Sequence, residues 1–421
     1  MFFRWNLCIW LLFGCILLAS IGGGESFFRF RGRRYRGDPE KRSPVIFVPG
    51  DGGSQVDAKL DKPDVVHYIC QKHTKDFFNI WLNLELLVPL VIDCWIDNVK
   101  LYYDNVTRTT SNSPGVTTRI PGWGTAETVE WLDPSHASAG SYFKDIGNAL
   151  ASVGYVRNVS IRGAPYDFRK APNENTQWFV DFKVLIEETY ALNENQPVTL
   201  IAHSMGGPMS LVFLQQQTRA WKDKYIARLV TLAGAWAGSA KAVKVFAIGD
   251  DLGSFALSGK TMRAEQITSP SLAWLMPSPL FWKPDEILVQ TQSRAYTYNQ
   301  LEEFFDDLQY RTGWDMMQDN KKYMMNFSPP DVEVHALYGT NISTVEKLYY
   351  RKSKGLDGTP ELINGDGDGT VNLRSLQACT QWRDKQKPKI YTMELPEVDH
   401  MAILSDSRVI KYILDLLLPA N

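Results

Sequence analysis

The stretch Val198-Thr-Leu-Ile-Ala-His-Ser-Met-Gly-Gly207 decides the fold of this 421-residue chain. Its apolar and β-branched residues predict a buried strand, and residues 208–217 are compatible with a helix. A sharp turn between them needs small side chains two positions to either side of Ser204, and Ala202 and Gly206 meet that need. A serine on a strand–turn–helix is typical of the nucleophile elbow of the α/β-hydrolase fold. A chance pentapeptide is the alternative, and the flanking strand and helix argue against it.

A second Gly-rich loop, residues 49–53, follows the apolar run Val45–Val48. In a doubly wound sheet, a loop that follows a buried strand lies beside the nucleophile. We therefore predict that the backbone N–H groups of Asp51 and Met205 form an oxyanion hole. An ordinary strand-to-helix turn is the alternative interpretation.

Strand and helix patterns alternate along the chain, which predicts a mainly parallel, doubly wound sheet of the α/β class. We expect helices over 141–154 and 178–192 and strands over 155–161 and 228–234. Residues 235–330 interrupt this alternation with Gly-, Trp- and Pro-rich pieces, and they are too long for a connecting loop. They predict an inserted cap or lid.

A serine nucleophile needs a base, and the α/β-hydrolase order is Ser, then Asp or Glu, then His. His335 lies among apolar residues of a predicted strand, which favours a buried core histidine, whereas His400 follows a late strand and is the predicted base. Asp366 and Asp368 compete as the acid, and their spacing does not separate them. Their loop resembles a calcium-loop fragment but lacks the remaining ligands and the distal Glu, so we expect no metal there.

The first 22 residues resemble a secretory signal peptide, with basic Arg4 before a short apolar run and small residues at its end. An uncleaved membrane anchor is the alternative. Residues 23–42 form a basic lead-in, which is either a solvated tail or a contact for an anionic membrane. The hydrolase domain is then expected over 43–421.

Cysteines and glycosylation sequons agree with a luminal or extracellular protein. Beyond the signal peptide the cysteines are Cys70, Cys94 and Cys379, and we pair the two nearest in sequence, Cys70 and Cys94, leaving Cys379 as a lone thiol. Three sequons predict N-glycosylation. Their asparagines are Asn105, Asn158 and Asn341.

An apolar run over 77–95 lies inside a predicted membrane-binding region, 70–110. It is interrupted by Pro89 and is too short to span a bilayer, so we expect an exposed loop that contacts lipid. A buried helix and turn is the alternative. The residues expected to enter the membrane interface are Trp81, Leu82, Leu84, Leu86 and Leu87. The formal net charge of −2 gives no reason to expect a nucleic-acid partner.

Taken together, Asp51, Ala202-His-Ser-Met-Gly206, Gly365-Asp-Gly-Asp-Gly-Thr-Val371 and the Cys70–Cys94 loop resemble the lecithin:cholesterol acyltransferase family. Within it, the chain is most similar to the lysosomal phospholipase A branch. The resemblance selects Asp368 as the catalytic acid beside Ser204 and His400. It also implies a phospholipid membrane as partner and acyl transfer, without a cofactor, to water or to a lipid alcohol such as a ceramide.

The resemblance implies residence in the lysosome lumen, with secretion as the alternative. Other activities stay open: a neutral-lipid or small-ester hydrolase, a secreted sterol acyltransferase, or a lipid-transfer protein without catalysis. In the sterol-esterifying branch a cysteine at the position of Cys379 belongs to a second disulfide. This chain offers no further mature cysteine to pair with it, which weighs against that branch.

Overall fold

The computed structural model describes residues 42–254, 257–353 and 355–418. The predicted signal peptide, and the basic lead-in apart from its last residue, lie outside this part of the chain. The strands are β1 Val45–Val48, β2 Val56–Leu60, β3 Phe78–Trp81, β4 Leu101–Asp104, β5 Thr109–Asn112, β6 Val116–Arg119, β7 Ile161–Gly163, β8 Val198–His203, β9 Ile226–Leu232, β10 Ile287–Thr291, β11 Ala295–Thr297, β12 Val334–Thr340, β13 Ile342–Tyr350, β14 Glu361–Gly367 and β15 Ile390–Pro396.

The helices surround and cap these strands. They are α1 Ile92–Val99, α2 Glu127–Glu130, α3 Lys144–Ser152, α4 Thr176–Leu192, α5 Gly206–Gln215, α6 Arg219–Tyr225, α7 Ala240–Ile248, α8 Gly259–Gln266, α9 Pro270–Trp274, α10 Leu301–Asp307, α11 Arg311–Asp319, α12 Lys321–Met324, α13 Leu373–Leu376 and α14 Ser407–Leu417. Short 3₁₀ helices cover Leu84–Leu87, Ser138–Gly140, Tyr298–Gln300, Ala378–Trp382 and Ala402–Leu404.

A six-stranded parallel sheet, in the order β7-β1-β8-β9-β12-β15, forms the centre of the protein. All residues of β1 and β8 are buried, as expected for inner strands of a parallel sheet covered on both faces. The strands that follow β1 in the chain lie on both sides of it, with β7 on one side and β8, β9, β12 and β15 on the other. This is the predicted α/β-hydrolase fold.

One predicted strand is shorter than expected. The strand expected over residues 155–161 begins only at Ile161, because the carbonyl of Val156 accepts the N–H groups of Ser160 and Ile161 and closes a turn. The β propensity of this segment is therefore overridden by local hydrogen bonds.

A second, four-stranded sheet has the order β11-β10-β13-β14, and the sequence did not reveal it. The predicted cap segment, 235–330, supplies helices α7 to α12 and strands β10 and β11, and β10 pairs in parallel with β13. The segment we expected to be a loop, 364–371, instead continues β14 as far as Gly367. Its Gly-Asp pattern has no apolar alternation, so the pairing with β13 decides its conformation.

The region between β1 and α2 contains the sheet β3-β2-β6, the β4–β5 hairpin and α1. The predicted disulfide between Cys70 and Cys94 is present and joins the loop before β3 to α1. The fully buried Arg169 binds Asp167 and also donates to the Val99 carbonyl and the Asn112 side chain. These bonds hold the region against the hydrolase core.

The exposure predicted for the apolar run is wrong at two leucines. Leu82 and Leu87 are both buried. At Leu82 the backbone N–H donates to the Leu132 carbonyl at 3.0 Å, which holds this residue against the segment before α3. Trp81 is only half-exposed because its indole packs against Trp95. Leu84 is exposed and Leu86 half-exposed. Among the helices of the described residues, we find none with the length and apolar character needed to cross a bilayer.

Candidate active site

Ser204 occupies a strained turn between β8 and α5. Its φ of 54° lies in the left-handed region that non-glycine residues rarely adopt. The turn is held by bonds from the Ser204 N–H to the Leu232 carbonyl and from the Gly207 N–H to the Ser204 carbonyl. A Cβ at Gly206 would lie 2.4 Å from the Val48 carbonyl oxygen. The close approach of β1 therefore imposes the small residue that the sequence motif shows.

His400 and Asp368 complete a chain of hydrogen bonds that ends at Ser204. The imidazole Nε2 of His400 lies 2.9 Å from the Ser204 Oγ, and its Nδ1 lies 2.7 Å from the Asp368 Oδ2. The backbone N–H of His400 also donates to the backbone carbonyl of Asp368 at 2.9 Å. All three residues are buried, and β8, β14 and β15 bring them to the carboxyl edge of the central sheet.

The two candidate acids have different surroundings. The Oδ1 of Asp368 accepts the N–H groups of Thr370 at 3.0 Å and Val371 at 2.7 Å, which leaves Oδ2 for His400. Burial raises the pKa of the Asp368 carboxyl, but the charge of His400 and these hydrogen bonds outweigh burial and lower it. Asp366 is exposed and accepts the Asn341 N–H at 2.6 Å. Asp368 is the carboxylate that reaches the histidine.

This geometry fixes a tautomer that suits a general base. An ionised carboxylate can only accept, so the His400 Nδ1 must carry the proton that Asp368 Oδ2 accepts. The Nε2 lone pair then faces the Ser204 hydroxyl and can take its proton. The first turn of α5 follows Ser204 directly, and a helix N-terminus favours developing negative charge.

The predicted oxyanion donors lie on the loops that border Ser204. The N–H groups of Asp51 and Met205 have no hydrogen-bond partner within the described residues, so both can bind a ligand oxygen. A Cβ at Gly50 would lie 2.7 Å from the Ser204 Cβ, which shows how closely the Asp51 loop approaches the nucleophile. Part of Asp51 is exposed, but protein surrounds its carboxyl, and this burial raises the pKa of the carboxyl to about 6.

Sequence reasoning missed two residues beside the site. The His203 Nδ1 lies 2.5 Å from the Tyr142 hydroxyl, and its Nε2 lies 2.8 Å from the His400 carbonyl. Tyr142 had no distinguishing signal, since it falls at the start of a predicted amphipathic helix. The neighbouring Gly50 N–H donates to its hydroxyl at 3.0 Å.

The remaining predicted residues lie elsewhere. His335 is a buried histidine of β12 whose ring contacts the Tyr412 hydroxyl and the Glu333 carboxylate, as its apolar context predicted. Cys379 has a free, buried thiol. The three sequon asparagines are exposed, and their glycosylation stays a prediction.

The predicted cap is attached beside Asp368. Where α7 begins, the Ser239 hydroxyl donates to the Thr370 carbonyl at 2.5 Å and the Ala240 N–H donates to the Asn372 side chain at 2.9 Å. The loop that carries Asp368 therefore also anchors the first helix of the predicted cap.

Comparison with known proteins gives the same family as the sequence resemblance. The family model for lecithin:cholesterol acyltransferase matches residues 77–407. The human lysosomal phospholipase A and acyltransferase is 44% identical over 90% of this chain and 91% of its own length. The chicken phosphatidylcholine-sterol acyltransferase is 41% identical over 85% of this chain and 86% of its own length.

Among solved structures, a chain of the Tle4–Tli4 complex matches with a TM-score of 0.51 and 13% identity, covering 88% of this chain and 97% of its own length. That likeness concerns the fold alone. The family model and the two relatives each extend over most of the chain. This protein belongs to the lecithin:cholesterol acyltransferase family.

Proposed function

We propose that the protein is a serine phospholipase A that also transfers acyl groups from glycerophospholipids to water or to a lipid alcohol. The observation that carries this proposal is the hydrogen-bond chain from Asp368 through His400 to Ser204. Beside it lie the N–H groups of Asp51 and Met205, for which no partner is found in the described part of the chain. The human and dog relatives, at 44% and 43% identity, are both named lysosomal phospholipase A and acyltransferase.

The reaction proceeds in two halves through an acyl-serine. The Ser204 Oγ attacks the carbonyl carbon of a phospholipid ester while the His400 Nε2 takes its proton, and the oxyanion is stabilised by the N–H groups of Asp51 and Met205. The tetrahedral intermediate collapses when His400 returns the proton to the departing lysophospholipid oxygen. Water or an alcohol then attacks the acyl-serine by the same steps in reverse.

A direct test compares Ser204→Ala with Ser210→Ala, a matched control within α5. The Ser210 hydroxyl donates to the Gly206 carbonyl and has no part in the proposed chemistry. Labelling by a fluorophosphonate and release of lysophospholipid from liposomes should be lost in Ser204→Ala and kept in Ser210→Ala. Labelling that survives in Ser204→Ala would show that Ser204 is not the nucleophile.

The acceptor and the lipid class are resolved by product analysis. Phospholipid liposomes with ceramide or with sterol should yield acyl-ceramide or sterol ester according to the acceptor that the site admits, and free fatty acid where water attacks. Hydrolysis of a triacylglycerol emulsion in preference to liposomes would instead identify a neutral-lipid hydrolase. The relative named phosphatidylcholine-sterol acyltransferase is the reason to include the sterol arm.

We propose that the enzyme binds membranes through a docking surface formed by residues 66–69 and 84–90. Tyr68 is 89% exposed and Leu90 77% exposed, and Val66, Ile69, Leu84 and Val88 are also exposed large apolar residues. The Cys70–Cys94 disulfide joins the loop that carries residues 66–69 to α1, which begins at Ile92 just after the second segment. The region adjoins the active site, because the Trp81 indole N–H donates to the Gly52 carbonyl of the oxyanion loop at 2.7 Å. Clustered exposed apolar side chains favour a lipid interface.

The matched test for docking uses Leu90→Ser and Leu192→Ser. Leu192 is 57% exposed and ends α4, near residues that lead into the amino ends of the central strands. Leu90→Ser should weaken co-sedimentation with liposomes and slow liposome hydrolysis, with little change on a water-soluble ester. Leu192→Ser should change none of these. Equal liposome binding by both variants would contradict the proposal.

We further propose that the protein works in the lysosome lumen, with secretion as the alternative. The supporting features are the disulfide and the relatives named lysosomal. Exposure of Asn105, Asn158 and Asn341 permits glycosylation. An endoglycosidase should increase gel mobility, and each Asn→Gln variant should remove one step of that shift. Immunofluorescence beside a lysosomal marker and assay of the culture medium separate the two locations.

A further inference from the structure

Two buried tyrosines hold the peptide group that precedes the proposed oxyanion donor. Pro49 and Gly50 share one peptide group: its carbonyl accepts the Tyr166 hydroxyl at 2.9 Å, and its N–H donates to the Tyr142 hydroxyl at 3.0 Å. Both tyrosines are almost fully buried. The orientation of this peptide is therefore set by side chains from two distant parts of the chain.

The next peptide group carries the Asp51 N–H. Its carbonyl, on Gly50, accepts the Gly53 N–H at 3.0 Å. In a trans peptide the N–H points away from the carbonyl, so this bond turns the Asp51 N–H to the opposite side. Two successive peptide groups of the loop are thus held in place, and this leaves the Asp51 N–H available as a donor.

The Tyr142 hydroxyl also connects, through the His203 ring, to the backbone of the base His400. A carbonyl only accepts, so the bond to the His400 carbonyl requires the proton of His203 on Nε2. The His203 Nδ1 is then an acceptor, and the Tyr142 hydroxyl must donate to it. The bonds run in one direction, from the Gly50 N–H through Tyr142 and His203 to the backbone of His400. Burial lowers the pKa of His203 to about 3, so the ring stays neutral under acidic conditions.

We infer that Tyr142 and His203 are positioning residues, which hold the oxyanion loop and the base loop in register across Ser204. Neither side chain hydrogen-bonds to Ser204, to the His400 imidazole or to the Asp51 N–H. Tyr142 acts through the Gly50 N–H, one peptide group before the Asp51 donor. His203 acts through the His400 carbonyl and through its ring, which packs against the His400 imidazole with centroids 4.8 Å apart. The inference rests on the proposed function. The chemistry needs a base and an oxyanion donor placed together to within a few tenths of an ångström, and this link is a direct side-chain connection between their loops.

The test uses Tyr142→Phe, His203→Gln and a matched control, Tyr155→Phe. Phe at 142 keeps the ring but deprives the Gly50 N–H and the His203 Nδ1 of their partner. Gln at 203 retains a donor that can reach the His400 carbonyl but lacks the imidazole Nδ1. Tyr155 is equally buried, and its hydroxyl donates to the Ser43 carbonyl at 3.1 Å, just before β1 and at the opposite end of that strand from the site.

A fluorophosphonate first titrates the competent sites in each variant, and kcat on p-nitrophenyl butyrate is then expressed per titrated site. If a variant merely contains less folded protein, the number of titrated sites falls but kcat per site is unchanged. The value of kcat per site therefore distinguishes a positioning role from a loss of stability. We expect kcat per site to fall about 10- to 100-fold in Tyr142→Phe and in His203→Gln at similar KM, the size of effect that misplacement produces. Tyr155→Phe should stay within about twofold of the wild type.

The double variant tests the link itself. If Tyr142 and His203 act as one unit, kcat per site in the double variant should fall about as far as in the more impaired single variant. Either single substitution already breaks the connection, so the second one adds little. Losses that multiply, or a Tyr142→Phe variant that matches Tyr155→Phe, would overturn the inference. A wild-type protein that neither reacts with the fluorophosphonate nor hydrolyses the ester would instead refute the proposed function.

Discussion

Replacing Asp368 by Asn should nearly abolish catalysis without removing a single heavy-atom contact. The Oδ1 position accepts two backbone N–H groups, from Thr370 and Val371, so the amide oxygen of the new side chain must stay there. Its NH₂ group then takes the place of Oδ2, 2.7 Å from the His400 Nδ1. Two donors cannot face each other, so the imidazole must accept at Nδ1 and carry its proton on Nε2.

A histidine protonated at Nε2 cannot take the Ser204 proton. The comparable change in a serine protease lowers kcat by about 10⁴-fold, which corresponds to about 5.5 kcal/mol of activation free energy. We expect a loss of that order in kcat on p-nitrophenyl butyrate, with KM changed much less. The circular-dichroism spectrum should match that of the wild type, because every backbone hydrogen bond to the side chain is retained.

The matched control is Asp366→Asn, the same substitution two residues earlier. Asp366 is exposed and bonds to the backbone of Asn341, so its amide should leave kcat within about threefold of the wild type. If Asp368→Asn retains more than a tenth of the wild-type kcat, or if Asp366→Asn loses as much, the tautomer reasoning fails.

Three further predictions concern stability. His203 has a pKa of about 3 when folded, below the ~6.5 of an exposed histidine, so the unfolded chain takes up a proton that the folded protein refuses, and stability is lost as the pH falls below about 6.5. Urea unfolding should show that this residue accounts for about 2 kcal/mol of the stability lost between pH 7.5 and pH 5; a His203→Gln variant with the same pH dependence as the wild type would contradict this. Serine at both Cys70 and Cys94, which are 24 residues apart, should lower the free energy of unfolding by about 3 kcal/mol and reduce liposome binding, and an unchanged urea midpoint would refute the first effect. Gly206→Ala forces a Cβ to 2.4 Å from a carbonyl oxygen of β1, whereas at Gly207 the nearest atom is 3.4 Å away, so only Gly206→Ala should yield misfolded protein or a melting temperature lowered by several degrees; a normal Gly206→Ala variant would show that the elbow can widen.

Residue spacing could not show whether Asp366 or Asp368 is the acid, because the choice depends on where β14 ends. Asp366 lies within β14, opposite Ser343, and stays at the surface. The strand ends at Gly367, and the chain then turns so that Thr370 and Val371 donate to Asp368. The family resemblance selected Asp368, but the residue pattern alone could not, since the partner strand β13 was itself unrecognised.

The apolar run illustrates a second limit. Hydrophobicity predicted contact with lipid for Leu82 and Leu87, but a buried helix and an exposed loop draw on the same residue types. The fold places both leucines inside and leaves Tyr68 and Leu90 exposed. Which apolar residues face outward depends on where the chain reverses, and the sequence carries little information on that.

The sequence by itself determined the local features whose causes are local. A tight turn demands small neighbours around Ser204, the order of strands leaves His400 as the base, and nearness in the chain pairs Cys70 with Cys94. Only the tertiary structure decided features made by segments far apart: the second sheet, the carboxylate that meets His400, and the contact of Tyr142 with His203. Hydrogen bonds between distant residues depend on the path of the whole backbone, whereas propensities and spacings describe only a residue and its near neighbours.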